Sequence, residues 1–230
     1  MSHYNVAVFT RNGTQDELET LLAPYDEDVE PDSPYAEFEE DEDGELDEAT
    51  GKRGYWSNPN ARWDWFVWGG RFRAWLKLKP GKTGENAPFD RYDKPFDYPS
   101  GCYDRALAAD IDLSRDDDAY KRALRHWEVV VEGAKKTNAE QADFALQLFK
   151  PEYYIQRYDN KEFYADCMSS RVPYAYLTAD GDWRSPGRMG WFGCDDVTYA
   201  AFTEYIQGFR EYLKTAAEQG LTASVMDLHI

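Results

Sequence analysis

Apolar and polar positions alternate with different periods along the chain, and the periods divide it into elements. Residues 4–10 (YNVAVFT) are apolar on both faces, Val6 and Val8 against Ala7 and Phe9, which predicts a strand central in its sheet. Asn12-Gly13 is turn chemistry. Thr14 then caps a short helix with Leu18, Leu21 and Leu22 on one face, Asp16 and Glu17 at its positive end and Pro24 at its stop. Residues 62–68 and 71–79 alternate on either side of Gly69-Gly70, which predicts a hairpin closed by a type I′ turn. That closure pairs Trp68 with Arg71, Phe66 with Arg73, Asp64 with Trp75 and Arg62 with Lys77. It puts Trp63, Trp65, Val67, Phe72, Ala74 and Leu76 on a core face, and Phe66, Trp68, Arg71, Arg73, Trp75 and Lys77 on the opposite one.

Further along, residues 80–99 lack periodicity and read as a long ordered loop whose aromatics (Phe89, Tyr92, Phe96, Tyr98) call for burial. Residues 102–110 read as a short helix. A clearer one starts at Asp112, Ser114 or Asp116 and shows Tyr120, Leu124, Trp127 and Val131 on one side. Thr137 or Asn138 caps another through Phe149, and Lys150-Pro151 opens a tyrosine-rich helix. Residues 172–178 read as a strand with a return beginning at Trp183. Residues 186–194 form a glycine-rich loop without a nucleotide-binding order of glycines. Asp195, Asp196 or Thr198 caps a long amphipathic helix from Phe202 to Ala216, which stops at Gly220, and residues 221–230 end as a strand. These elements predict one α+β domain over residues 1–230: a small, mostly antiparallel sheet on a ferredoxin-like plan, with a helical insertion.

Charge changes this picture in one place. Residues 26–50 contain fourteen Asp and Glu and no Lys or Arg, and so carry −14 of the net −18. Two prolines and few aliphatic residues accompany them, which predicts a flexible, solvated insertion. Within it Glu37, Glu39, Glu40, Asp41, Glu42 and Asp43 are the densest acidic cluster, a candidate surface for a partner with a basic face; the order of carboxylates does not match a calcium loop. The bulk acidic balance opposes direct binding of nucleic acid or anionic membrane. No apolar run approaches the length of a membrane span, which together with the absence of a signal-peptide core predicts a cytoplasmic protein. Three cysteines, Cys102, Cys167 and Cys194, are too few and too scattered for a disulfide scaffold or zinc ribbon.

Candidate chemistry is sparse. Phe66, Trp68, Arg71, Arg73, Trp75 and Lys77 interleave cations with rings, the composition of a stacking and phosphate-pairing surface or of internal cation–π pairs. The acidic insertion, just upstream, is a candidate cover for that surface. Asp227 and His229 lie two residues apart on a strand and so point the same way. With Asp64 and Arg71 from the hairpin they form a candidate polar site in which an Asp–His pair acts as general base. No serine or cysteine nucleophile motif, metal set or cofactor motif is complete.

Several of these stretches form a recognisable set. LLAPYDE at residues 21–27, NPNARWDWF at 58–66, GGRF at 69–72 and the closing DLHI at 227–230 resemble a family of uncharacterised bacteriophage and prophage proteins, with Arg62 and Leu228 departing from that family's Lys and Cys. The resemblance implies a mobile-element setting and a host-cell cytosolic location; it carries no mechanism. Two expectations follow. The first is an accessory protein that binds and inhibits or modulates a host nucleic-acid-binding or defence protein, of anti-CRISPR or other anti-defence type, in part by DNA mimicry. The second is a small hydrolase or nucleotide-binding enzyme centred on Asp64, Arg71, Asp227 and His229.

Overall fold

A computed structural model describes residues 2–88, 96–143, 149–190 and 195–230. The expected burial of Phe89 and Tyr92, most of the 186–194 loop's tip with Cys194, and the centre of the helix expected to reach Phe149 lie outside those residues. The protein is α+β.

In chain order the elements are β1 (His3–Thr10), α1 (Gln15–Leu22), β2 (Glu37–Leu46), β3 (Arg53–Ser57), β4 (Trp65–Trp68), β5 (Leu76–Lys77), β6 (Cys102–Tyr103), β7 (Arg105–Leu107), α2 (Asp117–Val130), α3 (Glu140–Asp143), α4 (Pro151–Tyr158), α5 (Lys161–Ser169), β8 (Ala175–Leu177), β9 (Trp183–Arg184), α6 (Tyr199–Glu218) and β10 (Thr222–His229). The main sheet runs β4-β10-β1-β8-β9, and β7 also pairs with β10. β1 is central, antiparallel to β10 and parallel to β8. The strand beside β1 is the first of the β8–β9 hairpin, with β9 outside it; this order does not establish a ferredoxin-like plan.

The two faces of β1 and β10 bury different sets of side chains, as the period of two requires. Tyr4, Val6 and Val8 join Met226 and Leu228 on one face, closed by Leu18 and Leu22 of α1. Thr14 caps that helix by accepting from the Glu17 N–H. Ala7 and Phe9 join Ala223 and Val225 on the other, under Tyr205, Ile206, Phe209 and Leu213 of α6. Complete burial of a leucine or phenylalanine of this kind stabilises by about 1.5–3 kcal/mol. A third cluster, Trp127, Tyr158, Tyr164 and Ala165, packs α2 against α4 and α5. Asp116 caps α2, accepting from the Asp118 and Ala119 N–H groups, and Thr198 caps α6.

Four expectations are corrected. Gly69-Gly70 does not close a two-residue hairpin: both have positive φ (71° and 50°), but the chain enters a 3-10 turn at Gly70–Phe72. β4 pairs with β10 instead, Trp65 opposite His229 and Trp68 opposite Met226, while β5 leaves to pair with β6. The predicted cross-strand pairs therefore do not form, and the two predicted faces do not stay apart, although Trp63, Ala74 and Leu76 are buried as expected. Phe66 and Trp68 pack toward the α1 side, Trp75 packs against the α6-side core, and Trp65 and Val67 follow His229 and Asp227. Residues 102–110 form β6, β7 and a 3-10 turn rather than a helix, because β5 and β10 supply strand partners. The tyrosine-rich helix breaks at Asp159, whose φ of 63° divides α4 from α5, and Asn160 caps the second half. The acidic segment, expected to be irregular, contains a ten-residue strand paired with β3.

Candidate functional site

The polar site grows from the C-terminal half of β10. Asp227 and His229 lie on the same face as Val225, but beyond the reach of the apolar cover. Antiparallel pairing sets His3 of β1 opposite His229 and Asn5 opposite Asp227. On the other edge β4 sets Trp65 opposite His229, and the Asp64 N–H donates to the His229 carbonyl at 3.0 Å. That backbone bond carries the Asp64 carboxylate to the imidazole: His229 Nδ1 lies 2.6 Å from Asp64 Oδ1 and 2.8 Å from Oδ2. His3 Nδ1 lies 2.8 Å from Asp227 Oδ1.

The turn after β4 completes the site. Gly70 lies so close to Asp227 that a Cβ there would sit 2.4 Å from Oδ2 and 2.5 Å from the Asp227 Cβ. This approach lets the Arg71 N–H donate to Asp227 Oδ2 at 2.8 Å. Asp227 thus has one oxygen on an imidazole and the other on a main-chain amide, which compensates its near-complete burial (1% exposed).

The result is two His–Asp pairs side by side. The imidazole centroids are 4.9 Å apart, edge to face. Trp65 stacks on His229 at 5.2 Å and meets His3 edge-on at 5.2 Å, fixing both rings. A carboxylate can only accept, so each Nδ1 carries a proton, and whenever the ring is neutral its Nε2 is the acceptor. Among the described residues neither Nε2 is engaged by a hydrogen bond. The Asp64 side chain is one-third exposed and opens the pair to solvent; the other three side chains are nearly closed off.

Beside this site lies a cavity of about 600 Å³ between the sheet, the 71–75 segment and the helices α2, α4 and α5. Asn5 and Arg71, both neighbours of Asp227, line its sheet end. Five arginines reach it (Arg71, Arg73, Arg122, Arg157 and Arg171) against one carboxylate, Asp116. Cys167 also lines it, but burial pushes its thiol up to about 12, which removes it as a thiolate nucleophile near neutral pH.

Asp64, Asp227 and His229 thus come together as the spacing implied, and Arg71 joins them through its backbone rather than its guanidinium. His3, which sequence reasoning passed over, supplies half of the site; its signal was the alternation of His3 with Asn5 along a strand whose partner carries Asp227 and His229. The six cation–aromatic residues do not form one surface. Trp68 lies under the Arg105 guanidinium at 4.1 Å, Trp75 donates to the Arg171 carbonyl, and Lys77 faces Asp112 at 3.7 Å. Only Arg71, Arg73 and Trp75 meet again, at the cavity.

The acidic strand does not lie across those cations. Its partners are in β3 and the turn before it: Tyr55 and Ser57 donate to Glu39, Lys52 pairs with Glu40, and Trp56 donates to Asp47. Those hydroxyl donors hold the Glu39 carboxyl below its ordinary range. Among the described residues no hydrogen bond or ion pair joins residues 37–46 to Arg71, Arg73 or Lys77. Glu37, Glu42 and Asp43 stand exposed around an irregularity between Glu40 and Glu45, both of which face Gly54. A Cβ at Gly54 would come within 2.0 Å of the Glu39 carbonyl oxygen.

Among the described residues no group of three or more His, Cys, Asp or Glu side chains is placed to hold a metal ion, and no helix is long and apolar enough to cross a membrane. Comparison with protein-family models, curated proteins and solved structures found no match.

Proposed function

We propose that the protein is a small acid–base hydrolase whose centre is the pair of His–Asp units. The observation that supports this reading is the 4.9 Å separation of two imidazoles, each bonded through Nδ1 to a carboxylate and each with its Nε2 unengaged. One neutral and one protonated imidazole at that spacing can serve both sides of a scissile bond. His229, whose Asp64 partner faces solvent, removes a proton from water through Nε2. The water oxygen bonds to the electrophilic centre as the bond to the leaving oxygen breaks, and His3 in its protonated form gives that oxygen its proton. Proton exchange with solvent then resets the two rings. Asp64 and Asp227 hold the tautomers and stabilise the positive charge on the rings.

The test is hydrolysis of p-nitrophenyl phosphate, bis-p-nitrophenyl phosphate and p-nitrophenyl acetate by wild type, His229→Gln and His3→Gln. Loss of either acid–base group lowers kcat by about 10²–10⁴-fold while the folded circular dichroism spectrum is kept. Wild-type turnover that both variants retain in full would falsify the reading.

A second reading rests on a separate observation, the exposure of Glu37, Glu39, Glu40, Asp41, Glu42 and Asp43 on one side strand. A carboxylate-dense ribbon competes for cations that otherwise bind a phosphate backbone. This supports an accessory role on a host protein with a basic face, of anti-defence type, and it uses none of the residues of the histidine site.

A further inference from the structure

We infer that the arginine-lined cavity is a binding site for a nucleoside phosphate. As the source of substrate for the histidine pair this rests on the hydrolase reading; as a binding site it rests on the cavity alone.

The first argument is unspent charge. Arg157 is neutralised by Asp195, and Arg171 donates to the Ala74 and Trp75 carbonyls at 2.9 and 3.3 Å. Asp116, the one lining carboxylate, caps α2 through one of its oxygens. The guanidinium of Arg73 is not spent: its Nε and Nη2 are buried and have no acceptor among the described residues. The side chains of Arg71 and Arg122 make no hydrogen bond or ion pair there either. A buried guanidinium without an acceptor is costly, and the oxygens of a phosphate fit its planar fork.

The second argument is the sense of the neutral groups. Asn5 is 5% exposed, and its Oδ1 accepts from the Tyr174 N–H at 2.9 Å. That bond fixes the amide so that Nδ2, a donor, points into the cavity without a partner. Tyr174 also lines the cavity, and its ring packs edge-on against Tyr4 at 5.4 Å. Asn5 Nδ2 and the Arg73 guanidinium therefore line the cavity as buried donors without acceptors, which favours an anion.

The third argument is size and lining. A cavity of about 600 Å³ greatly exceeds one phosphate and falls in the range of small-molecule sites. Its remaining walls include the rings of Trp75, Phe96, Tyr158 and Phe202, with the Arg73 guanidinium 5.8 Å from the Phe96 ring centre. Rings beside guanidiniums suit a flat base joined to a phosphate. Asn5 and Arg71 put the phosphate end next to Asp227 and its histidines.

The experiment is calorimetric titration of the full chain with the four ribonucleoside 5′-monophosphates, the four nucleosides and inorganic phosphate. At least one monophosphate is expected to bind ten-fold or more tightly than both its nucleoside and phosphate. Arg73→Gln should weaken it at least ten-fold. Should Arg73→Gln fail to fold, exposed Arg122→Gln carries the same comparison. Absence of binding by every monophosphate up to millimolar concentration overturns the inference, as does a nucleoside that binds as well as its monophosphate, or wild-type affinity in both arginine variants. Monophosphate binding without His229-dependent turnover upholds the site and removes the hydrolase reading alone.

Discussion

The protein handles carboxylates in two opposite ways. At the histidine site, Asp227 is 1% exposed, and each of its oxygens has a donor at 2.8 Å. On the acidic strand, six carboxylates between Glu37 and Asp43 stand in solvent, held by a few hydroxyls and one lysine of the neighbouring turn and strand. The acidic strand dominates the charge of the chain, yet its side chains are arranged by solvation and mutual repulsion. The inner site has two carboxylates, and their positions are fixed by backbone register. Density of charge marks a surface that partners can meet; burial of charge with complete pairing marks positions the fold has been built to hold.

The largest break in this comparison is expected from Gly70→Ala. The new methyl would meet Asp227 Oδ2 at 2.4 Å and Val67 Cγ1 at 2.7 Å, at a φ of 50° that disfavours any side chain. Asp227 must then move, leaving the Arg71 N–H and His3 Nδ1 without their acceptor. Urea unfolding is expected to show a loss of about 2–4 kcal/mol, with loss of any His229-dependent turnover. A variant as stable and active as wild type would show that the turn does not position the site.

The elements fixed by long runs of one period were legible: β1, α1, α6 and β10 lie where alternation or 3.6-residue spacing predicts them, with Thr14 and Thr198 as caps. Asp227 and His229 shared a face for the same reason. What local chemistry left ambiguous was settled by distant partners. Gly69-Gly70 satisfies the φ demands of a I′ hairpin and of a 3-10 turn alike; β10 decides, because its outer edge takes Trp65–Trp68 as a neighbour. That choice brings Phe66 and Trp68 to the same core as Trp63, and Trp75 to the same core as Phe72 and Leu76. His3 was hidden because its carboxylate lies 224 residues away. The acidic strand was misread because like charges argue against regular structure. The contact of Phe38 with Trp56, and Gly54 at the close approach, hold the strand in a way that charge count does not register.

The outer half of the comparison is sharpened by replacing all six carboxylates: Glu37→Gln, Glu39→Gln, Glu40→Gln, Asp41→Asn, Glu42→Gln and Asp43→Asn. Exposed charges that repel one another add little to folding, so Tm is expected to move by no more than about 3 °C. For a partner bound through this strand, as proposed above, affinity should instead collapse and should fall steeply between low and moderate salt in the wild type. A complex that survives both changes is not held by these carboxylates.

The smallest effect separates the site histidines from the third one. His126 lies in the α2–α5 cluster, its Nδ1 2.9 Å from the Tyr164 hydroxyl and its ring stacked on that tyrosine. Burial, and then the positive charge of Lys136, lower its pKa. The unfolded ring titrates near 6.5. Because the folded value is depressed, the unfolded chain binds the proton more readily in the interval below 6.5. The contribution of neutral His126 is therefore complete above that value and lost as pH falls through the folded pKa. Urea midpoints at pH 7.5, 6.0 and 5.0 should decline less in His126→Gln than in wild type, with the difference confined to the lower two. An identical decline in both proteins would mean that protonation of this ring does not limit stability.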